Sequence, residues 1–322
     1  MEKMAVTSPR LKKPYSKGLL AKTGRNILKH KGKYMLVLPG FVWYVVFAYI
    51  PIFGLSLAFK TYIAKLGLFA SPWIGLKNFE NVFADPAFMQ SIFTTLKINA
   101  GRLLFVFPFP ILLALAINEV RLGRSKKIMQ SIFTFPHFLS WVIVASIMIS
   151  VLGQRGLVNS TMGAVFGTKP ISFLGIPSYF LPVVYLTDIW KSAGWSAIIY
   201  MASIAGIDTE QYEAAEIDGS SRLQRMWYIT LPGIKPTIFV LFILAVGYLM
   251  SGGFDQIFNL SNPATLKVAE TLDMYIYRIT FRGSVDFSYS SAVAIFRSTI
   301  NLLLLFAADR FMKRIGGSGL LA

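Results

Sequence analysis

From Tyr34 to Phe59 the chain runs 26 residues without a charged side chain. At about 1.5 Å per residue, a helix of that length exceeds the roughly 30 Å hydrocarbon core of a bilayer. Two further uncharged runs follow, Ile128–Gln154 and Pro236–Phe254. Three more are apolar but carry charges within: about Ile92–Asn118 with Lys97 and Arg102, about Tyr179–Ile204 with Asp188 and Lys191, and about Ser290–Phe311 with Arg297. The runs are continuous rather than alternating, which excludes a transmembrane β-barrel. The pattern predicts an all-α polytopic membrane protein of six transmembrane helices over residues 34–315. A basic tail, 1–33, precedes them and a flexible glycine-containing end, 316–322, follows.

Composition agrees. Hydrophobic residues make up 55% of the 322 and charged residues 15%, far from the roughly 45–50% and about 25% of soluble domains. Disorder, coiled coil and collagen are excluded by that apolar content. There is no cysteine, which removes disulfides, thiolate metal sites and thiol catalysis. With two histidines, His30 and His137, a histidine-built metal site is not expected either.

The net charge of +17 is unevenly placed: ten of the 32 Lys and Arg lie in the first 33 residues. An uncharged span follows directly, so the tail is read as lying near anionic headgroups rather than on nucleic acid. The first span is too long for a cleavable signal, and others follow it. Six spans put both termini on one side. That face carries 20 Lys and Arg, the opposite loops carry 8, and four lie within spans. The bias predicts a cytoplasmic (inner) membrane protein with both termini in the cytoplasm.

One cytoplasmic loop, 206–235, breaks the basic rule. Asp208, Glu210, Glu213, Glu216 and Asp218 fall within eleven residues of it. Asp208 is placed to cap a short helix, with Gln211 at the reciprocal position and acids in the first turn. Gly219 either ends that helix or admits another backbone. Arg222 and Arg225 open a second short helix, which Leu231-Pro232 is expected to stop. The loop is either an amphipathic connector on the membrane surface or a knob that projects into a cytoplasmic partner. Membrane-surface helices normally offer Lys and Arg to lipid; this one offers carboxylates.

Glu213-Ala214-Ala215-x-x-x-Gly219, with Asp218 before the glycine and Ile229-x-Leu231-Pro232 after it, resembles the loop signature of binding-protein-dependent ABC importer permeases. Gly75-Leu76-Lys77-Asn78-Phe79 with Asp85-Pro86-Ala87-Phe88, Pro136 through Trp141, Gly156-Leu157-Val158-Asn159, and Ile189-Trp190-Lys191 with Gly194-Trp195 are similar to its maltose-type carbohydrate branch. Many members of that branch carry Leu-Thr-x-Gly-Gly-Pro in the last outside loop. Here Phe254 to Pro263 departs from it, and is similar instead to permeases for complex polysaccharides, including uronate-rich ones such as alginate or rhamnogalacturonan. The resemblance covers about residues 35–315.

The resemblance implies a type I importer permease fold, a second homologous permease, two ATPase subunits and an extracytoplasmic solute-binding protein. It implies that ATP and Mg are used by the ATPases and that this chain binds no cofactor. The sequence itself contains no Gly-x-x-x-x-Gly-Lys-Ser/Thr phosphate loop. Glu213, Ala214, Ala215, Asp218, Gly219, Leu231 and Pro232 become the expected coupling residues. The outer loops, 60–91 and Phe254 to Pro263, are expected either to meet the binding protein or to anchor an aromatic belt through Trp73, Tyr275 and Tyr277.

Cations inside spans usually face a protein interior or a watery cavity. Arg102, Lys191 and Arg297, with Asp188, Trp190 and Trp195, are therefore expected along a pathway favouring an acidic glycan. The competing reading has Lys191 pairing with Asp188, and the arginines bonded to helix carbonyls. Lys97 is set aside as a snorkelling side chain. The alternative class is an ion-coupled secondary transporter of a small polar solute, with Asp188 as its embedded acid. A membrane enzyme is disfavoured because there is no cysteine, His137 stands alone in a span, and no paired carboxylates face each other.

Overall fold

The computed structural model describes residues 29–120, 123–283, 285–316 and 319–320. The basic tail up to residue 28 and part of the glycine-containing end lie outside them. The chain divides into two compact units, Met1–Ser56 and Leu57–Ala322.

In the first unit, α1 (Lys31–Tyr44) widens through a π turn at Val45–Tyr49. Tighter 3-10 winding follows from Ile50. No residue of α1 is buried, and Leu36 is 85% exposed. So apolar a surface calls for lipid or another chain.

In the second unit, α2 (Pro86–Gly101) begins six residues earlier than the hydrophobic run indicates. Asp85 caps it by accepting from the Ala87 N–H at 2.8 Å, and Pro86 takes the first turn, where no N–H is needed. A wide turn at Arg102–Val106 leads into α3 (Pro108–Asn118). The Phe107 N–H reaches back five residues to the Arg102 carbonyl at 2.8 Å.

The expected third span is not one helix. α4 (Gly123–Thr134) gives way to a 3-10 turn at Phe135–Phe138, and α5 (Trp141–Leu152) restarts from Ser140, whose hydroxyl accepts from the Ile143 N–H. Pro136 cannot donate within an α-helix, and the Ser140 cap fixes the new start.

α6 (Pro177–Ala205) is an unbroken 29-residue helix that packs on α3 and α4. The approach to α4 depends on Gly194: a β-carbon there would lie 2.0 Å from the Phe133 carbonyl oxygen. α7 (Thr209–Ile217) and α8 (Arg222–Arg225) form the acid-rich loop. Pro232 does not stop the second of these. A π turn at Met226–Thr230 carries the helix through to Gly233, because the extra residue makes room for a ring without an N–H. A 58° bend then leads into α9 (Lys235–Gly247).

The fifth run is also shorter as a helix than as a hydrophobic stretch. α9 ends at Gly247, and 248–253 is non-helical up to α10 (Phe254–Leu260). α11 (Leu272–Phe281) and α12 (Phe287–Arg314) complete the unit, with α9 packed along α12.

Among the described residues there is no strand, only an isolated bridge between Lys60 and Trp73. Four stretches are long and apolar enough to cross a membrane: Lys31–Phe59, Pro86–Asn118, Trp141–Phe166 and Phe287–Arg314. The bent pair ending in α9 makes a fifth. α6 has the length but also carries Asp188 and Lys191. It turns Thr187 and Lys191 inward, at 2% and 7% exposure.

Tyr275 does not belong to an interfacial belt. It is buried beside Phe88, Leu272 and Val293. Its hydroxyl donates to Asp85 at 2.5 Å, an acceptor that draws the ring inward. Trp73 remains 66% exposed, and the Tyr277 ring lies tilted against Phe254 and edge-on to Phe258.

Candidate functional site

Arg102, Asp188, Asp273 and Arg297 gather around the irregular backbone at 248–253. Asn99 donates to the carbonyls of Leu249 and Ser251 at 2.7 and 2.9 Å. Three residues on, Arg102 donates to Asn99 Oδ1 and to the Gly252 carbonyl, both at 3.0 Å, and to Gln256 Oε1 at 2.5 Å. Its Nε faces Asp188 Oδ2 at 3.1 Å, each side chain 17% exposed. From the other side the Gly252 N–H donates to Asp273 at 2.7 Å, and the Met250 N–H donates to Asn301 at 2.9 Å. Arg297 pairs with Asp273. In hydrocarbon an open backbone needs such partners, and here side chains from α2, α11 and α12 supply them.

Asp188 is thus neutralised by Arg102, not by Lys191. Lys191 instead donates to the His137 carbonyl at 2.6 Å, in the break between α4 and α5, with its ammonium 5.4 Å from the Trp141 ring centre. The two expected tryptophans diverge. Trp195 stacks flat on His137 at 4.6 Å, whereas Trp190 lines an apolar cavity of about 410 Å³ with Tyr179 and Leu186. Arg102, Asp188 and the hydroxyls of Ser192 and Ser196 border a separate cavity of about 300 Å³. Such a lining offers hydrogen bonds and a compensated charge pair to a hydroxylated ligand.

Asn99, Gln256, Asp273 and Asn301 escape a reading of the sequence. Asn99 and Asn301 carry a faint signal, lying three residues before Arg102 and four after Arg297 on the same helix faces. Gln256 and Asp273 fall in a stretch that reads as an outside loop. Among the described residues no cluster suits a metal ion.

The acid-rich loop is a separate feature, capped at both ends of α7. Asp208 caps α7 by accepting from the Glu210 N–H at 3.0 Å. Its end is closed by Gly219 at φ +74°: the Gly219 N–H reaches the Glu216 carbonyl at 3.1 Å, and the Ser220 N–H reaches Ala215 at 2.9 Å. Ser221 and Gln224 form a reciprocal capping box on α8. Tyr212 and Thr230 share a hydroxyl contact of 2.9 Å that ties α7 to the following turn. Arg225 pairs with Glu216 at 3.3 Å. Glu213, Ala214 and Asp218 point outward, and Ile217, Leu223 and Tyr228 are 87%, 66% and 80% exposed. Leu231 is half-buried and Pro232 exposed beside them.

Burial alone would raise the Asp85 carboxyl. Hydrogen bonds from Tyr275, the Ala87 N–H and Tyr289, with Arg278 nearby, outweigh it and hold the group below its ordinary value.

Residues 107–317 match the family described as binding-protein-dependent transport system inner membrane component. The polygalacturonan/rhamnogalacturonan transport system permease protein YteP of Bacillus subtilis (strain 168) is 40% identical over 98% of this chain and 97% of its own. The crystal structure of a bacterial ABC transporter involved in the import of the acidic polysaccharide alginate contains a chain with a TM-score of 0.82 and 36% identity, covering 91% of this chain and 99% of that one. The same TM-score and identity hold for a chain of the bacterial alginate ABC transporter in complex with alginate pentasaccharide-bound periplasmic protein, over 92% of this chain and 99% of that one.

Proposed function

Because this chain belongs to the family of inner membrane components of binding-protein-dependent transport systems, and is a carbohydrate ABC importer permease, we propose that its cargo is an acidic oligosaccharide released from a uronate-rich polysaccharide. It works beside a second homologous permease, two ATPase subunits and an extracytoplasmic solute-binding protein. Both termini lie in the cytoplasm, in keeping with the 20-to-8 distribution of Lys and Arg. ATP and Mg are bound and used by the ATPases, and this chain contributes movement rather than catalysis.

The observation that carries the coupling role is the doubly capped α7. Its caps make it a stiff lever, while Glu213 has no hydrogen-bonding or ionic partner among the described residues and Ile217 stands 87% exposed. Glu213, Ala214, Ala215, Asp218 and Gly219 seat in a cleft of an ATPase subunit. Leu231 and Pro232 carry the displacement through the 58° bend into α9. Substrate passes the cavity bordered by Arg102, Asp188 and Ser192, alternately open to either side. Lys191, Arg297 and Trp195 frame that path, and Trp190 faces the neighbouring apolar cavity. Because Asp188 is ion-paired, the site lacks the free acid that an ion-coupled carrier needs.

The test is reconstitution. The full complex in proteoliposomes, given ATP inside and binding protein outside, takes up trigalacturonate, and uptake stops when ATP is withheld. ATP-independent uptake by this chain alone overturns the reading.

A further inference from the structure

Of the four cations inside the spans, three have partners among the described residues and Lys97 has none. Arg102 has Asp188, Arg297 has Asp273, and Lys191 has the His137 carbonyl. Lys97 takes part in no ion pair or hydrogen bond among the described residues. It lies eleven residues past Pro86, about 16 Å along α2 at 1.5 Å per residue. Within a segment apolar enough to span the membrane, an ammonium that faces lipid must snorkel or is costly. Lys97 instead lines a cavity of about 400 Å³, into which Lys267 comes from the short helix Leu266–Ala269.

No carboxylate lines this cavity. The nearest acid in sequence to Lys267 is Glu270, and Arg278 holds it at 2.8 Å. Two lysines therefore share one cavity, and neither has an ion-pair partner among the described residues. Ile98, Leu181 and Val268 make part of the lining apolar, and three other residues suit a sugar. Phe93 presents a ring that is 75% exposed, Gln90 offers an uncommitted amide, and the Thr94 hydroxyl, which donates to the Gln90 carbonyl at 3.0 Å, keeps its lone pairs.

Resting on the proposed importer function, we infer that Lys97 and Lys267 form a carboxylate-binding subsite that selects acidic over neutral glycans, distinct from the Arg102–Asp188 cavity. The lysines take a uronate carboxylate, Phe93 stacks on the C–H face of the ring, and Gln90 bonds its hydroxyls. The ion-paired arginines hold the frame, and the lysines read the charge.

The experiment compares trigalacturonate with its methyl ester, which has the same length and no charge. In the reconstituted importer, Lys97→Gln and Lys267→Gln should each lower trigalacturonate uptake about tenfold relative to the ester, as expected for losing a hydrogen bond to a charged group. In the purified complex, trigalacturonate but not the ester should slow acylation of Lys97 by an amine-reactive reagent. Equal losses for both sugars, or no loss for either, overturn the subsite and leave the lysines to pair with the partner permease. A loss that follows the fraction of phosphatidylglycerol in the vesicles, rather than the charge of the sugar, overturns it in favour of a lipid contact. If the unmodified complex takes up neither sugar, the importer reading itself has failed, and that outcome is separable because it precedes any substitution.

Discussion

The guanidinium of Arg102 lies 3.1 Å from the carboxylate of Asp188, joining the wide turn after α2 to α6 while its remaining nitrogens hold Gly252 and Gln256. One residue thus ties three segments together, and its partner would become an uncompensated charge without it. Removing one member of a buried pair costs about 3 kcal/mol or more, whereas removing both costs less. Arg102→Met and Asp188→Asn should each lower the thermal midpoint of the purified permease complex. The double variant should recover part of the loss, with a coupling of about 1 kcal/mol or more. Strict additivity would show that the two side chains act independently.

At Gly194 the neighbouring backbone is closer than any side chain allows. A β-carbon would meet the Phe133 carbonyl oxygen and carbon at 2.0 and 2.2 Å, and backbone cannot rotate aside. Gly194→Ala should force α4 and α6 apart at a cost of about 1–3 kcal/mol. The check is folded yield and thermal midpoint in mild detergent. A wild-type midpoint would mean that the helices slide without penalty.

The coupling loop allows stability and transmission to be separated. Gly219 has φ +74° with open space around it, so Gly219→Ala should cost about 1–2 kcal/mol through backbone strain alone. Glu213→Lys disturbs no contact within the described chain and should leave the midpoint unchanged. It should, however, abolish substrate-stimulated ATP hydrolysis in the assembled complex. Wild-type stimulation by the Glu213→Lys complex would refute the placement of α7 in an ATPase cleft.

Asp85 provides a pH signature. Its carboxyl is held below the usual range by its hydrogen bonds, so the stabilisation is complete above the unfolded value of about 3.9 and disappears as pH falls through the lower folded value. Thermal midpoints of the unmodified protein and Asp85→Asn should differ at neutral pH and converge below about pH 4. A gap that stays constant with pH would show that the ionisation of Asp85 adds nothing to stability.

Local chemistry was legible in the sequence and remote chemistry was not. Asp208 and Gly219 announce the ends of α7 because a cap uses residues within four positions of one another. The break at Pro136 and Ser140 is equally local, yet it hides inside a continuous apolar run whose hydrophobicity outweighs one proline. The partners of Arg102 and Arg297 are another matter. Asn99 reaches Leu249 and Tyr275 reaches Asp85 across 150 and 190 residues, and no spacing rule links them. An embedded cation indicates that some partner exists and leaves its address open. Lys191 lies one turn from Asp188 on the same helix and still bonds elsewhere, since Arg102 takes Asp188 while its other nitrogens donate to Gly252 and Gln256.

The non-helical stretch at 248–253 also sets an order of assembly. Asn99 and Arg102 precede it in the chain, so its carbonyls find partners as soon as it is made. The N–H groups of Gly252 and Met250 wait for Asp273 and Asn301, which emerge later from the ribosome. During that interval two backbone donors face hydrocarbon or the insertion machinery unpaired. A nascent chain halted at residue 270 should therefore remain bound to the insertase and open to protease at 248–253. One halted after Arg314 should be released and protected. Maturation of this membrane domain is in that sense gated by its last helix, however early the others are threaded.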